Sequence, residues 1–522
     1  MFQIAALIMV GMSISLSQWS TDPNNPFEVS FWGSVSNGCS DGTGGAFIEW
    51  TNGGEHPQIF LRRIDRFGNI LWNDFIHVGG TGDSQNMHAK IIEDGSGGAI
   101  IGFTDLFEIE FWYPFWEYDA KSIVQRIDGS GNKLWGEDGL RVLNTDMDYQ
   151  LDDMISDGNS GVFVLMRLYE LPSGWIHTNV QAVSVQRIDG EGNRLWGDLG
   201  VILEPDIGNL EPMIESDGNG GAYVSYALNN IDFVYVHLGS NGNILWEIPY
   251  TDAFWVEEMQ NAGTDGLFLA GIHSFSTTTN HLVLNYITED GELPWTLSGI
   301  VPYEIESDVS QGPWLTINFD NSLTIGWREL IDGFDRGIIQ RISTSGNLLW
   351  DSPILFSEYP SKTYVQGIIS TKDSCNIVEF LDDRNYPGES GNYQVFVQKV
   401  NRNGELLWDD SGIPLTYTFT STRTLISDQN GGGIIIFNDE PYTGVYAQLV
   451  NRYGELGEVI TIPGDLNANT HLDVLDIVRT VTIIMGTGEP TTPWESMIGD
   501  MNDDELVNVL DIVIMVNIIL EG

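Results

Sequence analysis

From residue 27 to residue 462 apolar and polar positions follow a period of two or fall in short apolar runs. Ser184-Val-Gln-Arg-Ile188 alternates, and Gly98-Ala-Ile-Ile-Gly-Phe103 is a run bounded by turn residues. Both patterns predict short strands, and the flanking Asp-Gly and Gly-Asn steps supply the positive φ that tight hairpins need. No helical period occurs in this region. After Pro463 the pattern changes: Val474–Met485 and Val509–Leu520 read as two apolar helices, each entered from an oxygen-rich loop.

The strands belong to an internal repeat. Gly-Asn-x-Leu-Trp occurs at Gly68–Trp72, Gly131–Trp135, Gly192–Trp196, Gly242–Trp246 and Gly346–Trp350, with variants at Gly291–Trp295 and Gly404–Trp408. An eighth copy, Gly454-Glu-Leu-Gly457, has no Trp. Gln-Arg-Ile precedes several copies, as at Gln125–Ile127, Gln186–Ile188 and Gln340–Ile342. A second phrase, Asp-Gly-x-Gly-Gly in its fullest form, begins at Asp41, Asp94, Asp157, Asp217 and Asp428, with degenerate copies placed at Asp265, Asp320 and Asp373. The two phrases divide the region into eight units. Each reads as four strands: one before the Asp-Gly turn, one after it, one running into Gln-Arg-Ile, and one carrying the Trp.

A single four-stranded sheet of this length cannot bury both faces, but radial repetition can cover them. The fold class expected is therefore mainly β: residues 27–462 form an eight-bladed β-propeller (seven blades being the alternative), followed by a small α-helical domain. One Trp per unit fits between adjacent sheets, over the neighbour's glycine-rich backbone. Asp128-Gly-Ser-Gly131…Trp135 resembles the quinoprotein-type propeller phrase, which marks each of eight blades, though it is one residue shorter between Asp and Gly. The repeat also looks like those of secreted bacterial propeller proteins. A quinone-dependent dehydrogenase would bring a vicinal Cys pair, which this chain lacks.

Charge and termini narrow the setting. The 22 basic and 74 acidic residues leave a net charge of −52. That field repels phosphate backbones and anionic lipid, which excludes nucleic acid as a partner. Residues 1–17, MFQIAALIMVGMSISLS, carry a short apolar core and small residues near Gln18, and read as a signal peptide of a secreted or cell-surface protein. No stretch reads as a membrane span; Leu506–Leu520 carries Asn508, Asp511 and Asn517. Cys39 and Cys375 stand alone and read as ordinary buried thiols.

The tail holds the most specific motif. Counting Asp465 as loop position 1, oxygen-bearing side chains stand at positions 1, 3, 5, 9 and 12: Asp465, Asn467, Asn469, Asp473 and Asp476. The second copy, 35 residues later, offers Asp500, Asn502, Asp504, Asn508 and Asp511. This is EF-hand spacing for two calcium ions, with the position-7 carbonyls of His471 and Leu506 as further ligands. Residues 464–522 resemble the type I dockerin, the module by which secreted polysaccharide-degrading proteins dock to cohesins. The resemblance implies calcium-dependent folding and a cohesin-like or cell-surface protein as partner. Thr470 and Glu505 stand at position 6, where the family usually has Gly, and Asn469 removes a charge, so the first site is expected to be the weaker. In the family the two residues before the position-12 Asp help choose the cohesin. Here they are Val474 and Leu475, and Val509 and Leu510, which could pack inside the domain, form an apolar docking surface or meet the propeller.

One loop stands out in the propeller. Six aromatics, Phe111, Trp112, Tyr113, Phe115, Trp116 and Tyr118, fall within eight residues. They read either as a ligand platform, with polysaccharide the implied ligand, or as a long hairpin covering the next blade. No acid pair for glycoside hydrolysis can be picked from 74 carboxylates. Three functional classes follow: a non-catalytic secreted binding scaffold, a polysaccharide-degrading hydrolase or lyase carrying a dockerin, and a structural surface or adhesion component.

Overall fold

The computed structural model describes residues 18–521 apart from 54–55, 73, 80–83, 113–114, 170–179, 204–211, 228–232, 251–253, 264–265, 277–278, 296–298, 301–308, 388–392, 417–419, 440–443, 458–462, 468–470, 489–490, 492 and 503–505. The expected signal peptide lies outside the described residues.

Eight antiparallel sheets follow one another along the chain. Their first strands are Ser34–Ser40, Gln85–Glu93, Asp148–Ser156, Met213–Ser216, Phe254–Asn261, Val309–Ile317, Thr363–Ser370 and Thr420–Ser427, which open blades 1 to 8. Each first strand touches those of the two flanking blades, and Ser34–Ser40 touches Thr420–Ser427, so the ring closes. This is an eight-bladed β-propeller, and the seven-bladed alternative falls away. Blade 5 has three strands among the described residues, with Leu284 bridging to Ile300 where a fourth would lie.

The eighth blade is assembled from both ends of the propeller. Its outer strand, Phe27–Ser30, comes from the N-terminal segment and pairs with Val445–Val450. Closing a ring with one early strand ties the first and last blades by a ladder of hydrogen bonds as well as by packing.

The repeated phrases are joints between blades. The indole N–H groups of Trp72, Trp135, Trp196, Trp246, Trp350 and Trp408 donate to the backbone carbonyls of Gly129, Gly190, Ser240, Glu289, Arg402 and Arg452, each on the next blade. The Gly of the next Gly-Asn turn lies against that ring. At Gly454 a Cβ would come within 2.7 Å of Trp408, and φ there is +83°, so glycine is required twice over. Burying one indole removes about 150–250 Å² from water, worth about 4–6 kcal/mol before entropy. In most blades the Trp precedes the fourth strand, which is only two or three residues long, as in Leu140–Arg141 after Trp135. The repeat pattern predicts the Trp inside that strand; among the described residues Trp246, in Ile244–Tyr250, is the one that lies there.

The Asp of the second phrase folds its own turn. Asp94 accepts the N–H groups of Ser96 and Gly98 at 2.8 Å each, and Asp41, Asp157, Asp217 and Asp428 repeat the arrangement. In blades 5 to 7 the turns begin at Ala262, Asn318 and Thr371, before the acids assigned from sequence. The Arg of Gln-Arg-Ile reads both features. Arg126 pairs with Asp94 at 2.8 Å and donates to Gly190 O on blade 3 at 2.9 Å. Arg63, Arg187, Arg341 and Lys399 make equivalent pairs, with Asp41, Asp157, Asp320 and Asp373. Blade 4 has His237 there, bonded to Asp217 at 3.0 Å.

Candidate functional site

The C-terminal unit holds three helices: α1 (Val474–Ile484), α2 (Pro493–Gly499) and α3 (Val509–Glu521). Asp473 caps α1 and accepts Leu475 N–H at 2.7 Å, while Asp476 reaches back to Asp473 N–H at 2.8 Å. This capping box satisfies donors a helix start leaves open. The second copy repeats it: Asn508 accepts Leu510 N–H at 2.8 Å, and Asp511 accepts Asn508 N–H at 2.7 Å. Each position-12 carboxylate takes a second N–H from the start of its loop, Asn467 for Asp476 and Met501 for Asp511. Both carboxylates are fully buried, as is Asp465. Thr480 Oγ1 meets Met515 Sδ at 3.4 Å, so residues 35 apart pack across the helix pair.

The four residues expected to choose a partner are exposed. Val474 and Leu475 are 64% and 60% accessible, Val509 and Leu510 62% and 59%. Val478 and Val513, one turn on, are exposed as well. Asn469 and Asp504 lie outside the described residues. Among the described residues no three His, Cys, Asp or Glu side chains converge tightly enough to hold a metal ion. The donor set itself, all oxygen and mostly anionic, matches the chemistry of a hard divalent cation, and three of its carboxylates are already withdrawn from water.

A second cluster lies where the first strands meet. Seven of these strands shift register a few residues before their turn, between Val35 and Asn37, Met87 and Lys90, Leu151 and Asp153, Val256 and Glu258, Gln311 and Trp314, Val365 and Gly367, and Thr422 and Thr424. Such bulges re-aim the side chains beside them. Asp153 of blade 3, Glu215 of blade 4 and Glu258 of blade 5 come within electrostatic reach of one another. Burial pushes the Glu215 carboxyl up to about 8, and the charges of Asp153 and Glu258 add to the shift. Glu258 is also pushed up to about 8, by burial, by Glu257 and by Asp153. Burial raises Asp153 too, against the pull of Lys90, whose ammonium stands 3.5 Å away. A carboxyl raised to about 8 favours the protonated form at neutral pH.

Neighbouring acids of the same blade are engaged elsewhere: Asp148 pairs with Lys121 at 3.2 Å and Asp152 binds Arg167, so Asp153 is the one that joins Glu215 and Glu258. Glu215 and Glu258 were missed. Phase could have found Glu258, since Asp153 stands four residues before the turn residue Asp157 and Glu258 four before Ala262; Glu215, two before Asp217, falls outside that phase.

The aromatic segment extends a hairpin. The second and third strands of blade 2, Ala99–Trp112 and Phe115–Ile127, stay paired out to Trp112 opposite Phe115. Tyr113, and the side chains of Phe111, Trp112, Phe115, Trp116 and Tyr118, lie outside the described residues.

The fold defines the class: an eight-bladed β-propeller closed by its N-terminal strand. No family model matches the chain, and no curated protein sequence matches it. Among solved structures it is similar to the β-propeller domain of the Trilobed protease from Pyrococcus furiosus, at 12% identity, covering 74% of this chain and 98% of that one, with a TM-score of 0.39. It is similar to apo prolyl oligopeptidase B from Galerina marginata at 9% identity, covering 78% of this chain and 56% of that one, TM-score 0.43. An endo-arabinase from Bacteroides thetaiotaomicron VPI-5482 matches at 12% identity over 46% of this chain and 92% of its own, TM-score 0.27. At these scores the likenesses carry no argument about chemistry.

Proposed function

We propose that the protein is a non-catalytic binding scaffold of the cell exterior, secreted or held at the surface. Its propeller presents loops to a ligand, with polysaccharide the class considered first. Its tail, a dockerin-type module with two calcium sites, positions it on a cohesin-like or cell-surface protein. The observation that carries this reading is the duplication of local geometry at an offset of 35 residues: a buried position-12 aspartate in each loop, wrapped by the same kind of backbone donors, and one exposed apolar pair per helix. Ordinary helix packing does not call for the second feature, since it leaves Leu475 and Leu510 in water.

The residues that would hold the ions are Asp465, Asn467, Asn469, Asp473 and Asp476 with the His471 carbonyl, and Asp500, Asn502, Asp504, Asn508 and Asp511 with the Leu506 carbonyl. A bound Ca²⁺ would supply the positive charge that offsets eleven acids facing one base, Arg479. Scanning calorimetry of the full chain in Ca²⁺ and in chelator tests this. Added Ca²⁺ is expected to raise the melting of the C-terminal unit, and identical traces would refute it.

A second reading, a glycoside hydrolase or lyase, is favoured by the protonated Glu215 and Glu258 beside Asp153, since such chemistry needs one carboxyl acid and one carboxylate. Reducing-sugar release from a polysaccharide panel separates the two. Turnover lost in Glu215→Gln or Glu258→Gln supports the enzyme; binding without turnover supports the scaffold.

A further inference from the structure

Among the described residues a hydrogen bond joins the propeller to the tail, and its placement bears on the first loop. The Tyr453 hydroxyl donates to the backbone carbonyl of Asn467 at 2.9 Å. Tyr453 stands on the last turn of blade 8, and that turn is held rigidly. Tyr453 N–H donates to Asn451 Oδ1 at 2.9 Å, Gly454 N–H to Asn451 O at 3.0 Å, and Gly454 lies on the Trp408 ring. Asn467 is equally tied: its own N–H donates to Asp476 Oδ1 at 3.1 Å. The residue at loop position 3 is therefore held between the position-12 carboxylate and the propeller.

We propose that Tyr453 is a positioning residue for the first cation loop, so that the propeller sets the affinity of that site and not of the second. This inference rests on the calcium reading of the tail. It gives the propeller a regulatory part: the loop that lacks a charge at position 5 and carries Thr470 at position 6 is braced from outside by the Tyr453 hydroxyl. Fixing a loop before its ion arrives removes ordering cost from binding. The brace thus acts where the intrinsic site is poorer.

The test is calcium titration of the full chain by isothermal calorimetry, with terbium luminescence as a second readout. Asp476→Asn and Asp511→Asn assign the two sites by removing one each. Tyr453→Phe keeps the ring and deletes only the hydroxyl. Loss of one neutral hydrogen bond is expected to weaken the site removed by Asp476→Asn about 3- to 10-fold, with the other site and the propeller melting temperature unchanged. Unchanged affinity at both sites in Tyr453→Phe, or weakening of the site removed by Asp511→Asn, overturns the inference while leaving the calcium reading intact. A wild-type chain that binds no Ca²⁺ overturns both.

Discussion

The indole N–H of Trp19 donates to the backbone carbonyl of Arg66 at 2.8 Å. Arg66 belongs to the Gly-Asn turn of blade 1, and the bond reproduces the one Trp135 makes to blade 3 and Trp408 to blade 8. The eighth repeat, whose Gly454-Glu-Leu-Gly457 phrase has no Trp, receives one from the N-terminal segment, followed by its fourth strand, Phe27–Ser30. Gly457 lies against Ser20 and Thr21, where that segment crosses it.

Trp19 should accordingly behave as a seam residue. Trp19→Ala is expected to cost about 3–5 kcal/mol, as for a large buried aromatic, and Trp19→Phe about 1 kcal/mol for the lost hydrogen bond plus some packing. Denaturant melts measure both. A change below about 0.5 kcal/mol in Trp19→Ala would show that the segment does not close the ring.

The Arg126–Asp94 pair makes a sharper case than a surface ion pair. The Asp94 side chain is 1% accessible and that of Arg126 13%. Removing Arg126 alone strands a buried carboxylate, so Arg126→Met should cost about 3–5 kcal/mol. The double change with Asp94→Asn should recover part of the loss. Additive losses in the double variant would mean the pair is not coupled.

Stability should fall as pH rises through the neutral range. The folded-state values of Glu215 and Glu258, about 8, lie above the ordinary 4.5. A raised acid binds more protons folded than unfolded between those values, so its contribution is fully present below about 4.5 and is lost on the way to 8. Glu215→Gln should flatten the decline and stabilise the protein at pH 9, by on the order of 2 kcal/mol. Thermal melts from pH 5 to 9 at constant ionic strength decide it. An unchanged slope in the variant would place Glu215 in ordinary solvent.

The apolar pairs of the tail should be dispensable for folding. Leu475→Asp with Leu510→Asp is expected to change stability by less than about 0.5 kcal/mol, because both side chains already face water. The same variant should lose any cohesin-like partner the wild type captures. A large drop in melting temperature would instead show that these leucines pack inside an assembly.

Much of the architecture was legible because a repeat states its own rules eight times. Trp135, Trp196 and Trp350 marked the joints, Asp41, Asp94 and Asp157 the turns, and Arg126 and Arg187 the latch between them. The degenerate blades were misphased: Asp320 and Asp373 looked like turn residues, but the turns begin at Asn318 and Thr371. Their carboxylates still meet Arg341 and Lys399, so the pairing survived a shift that the motif did not record. Glu215 and Glu258 were illegible for a different reason. Nothing in their local sequence separates them from the other 72 acids except the side of the strand they occupy, and in blade 5 a bulge changes that side.

By itself the sequence determined what depends on local chemistry and short-range spacing. This covers strand and turn alternation, the count of eight units, the two oxygen-rich loops and the helices they cap, because neighbours in the chain decide hairpins and capping boxes. Tertiary structure alone decided what depends on residues outside one hairpin or one helix turn. It brought Trp19 to Arg66, joined Phe27–Ser30 to the last blade, drew three carboxyls from three blades together and set Tyr453 against Asn467. The first three meetings follow from closing a ring, which fixes each position relative to an axis that no stretch of sequence contains, and the last from where the tail leaves blade 8.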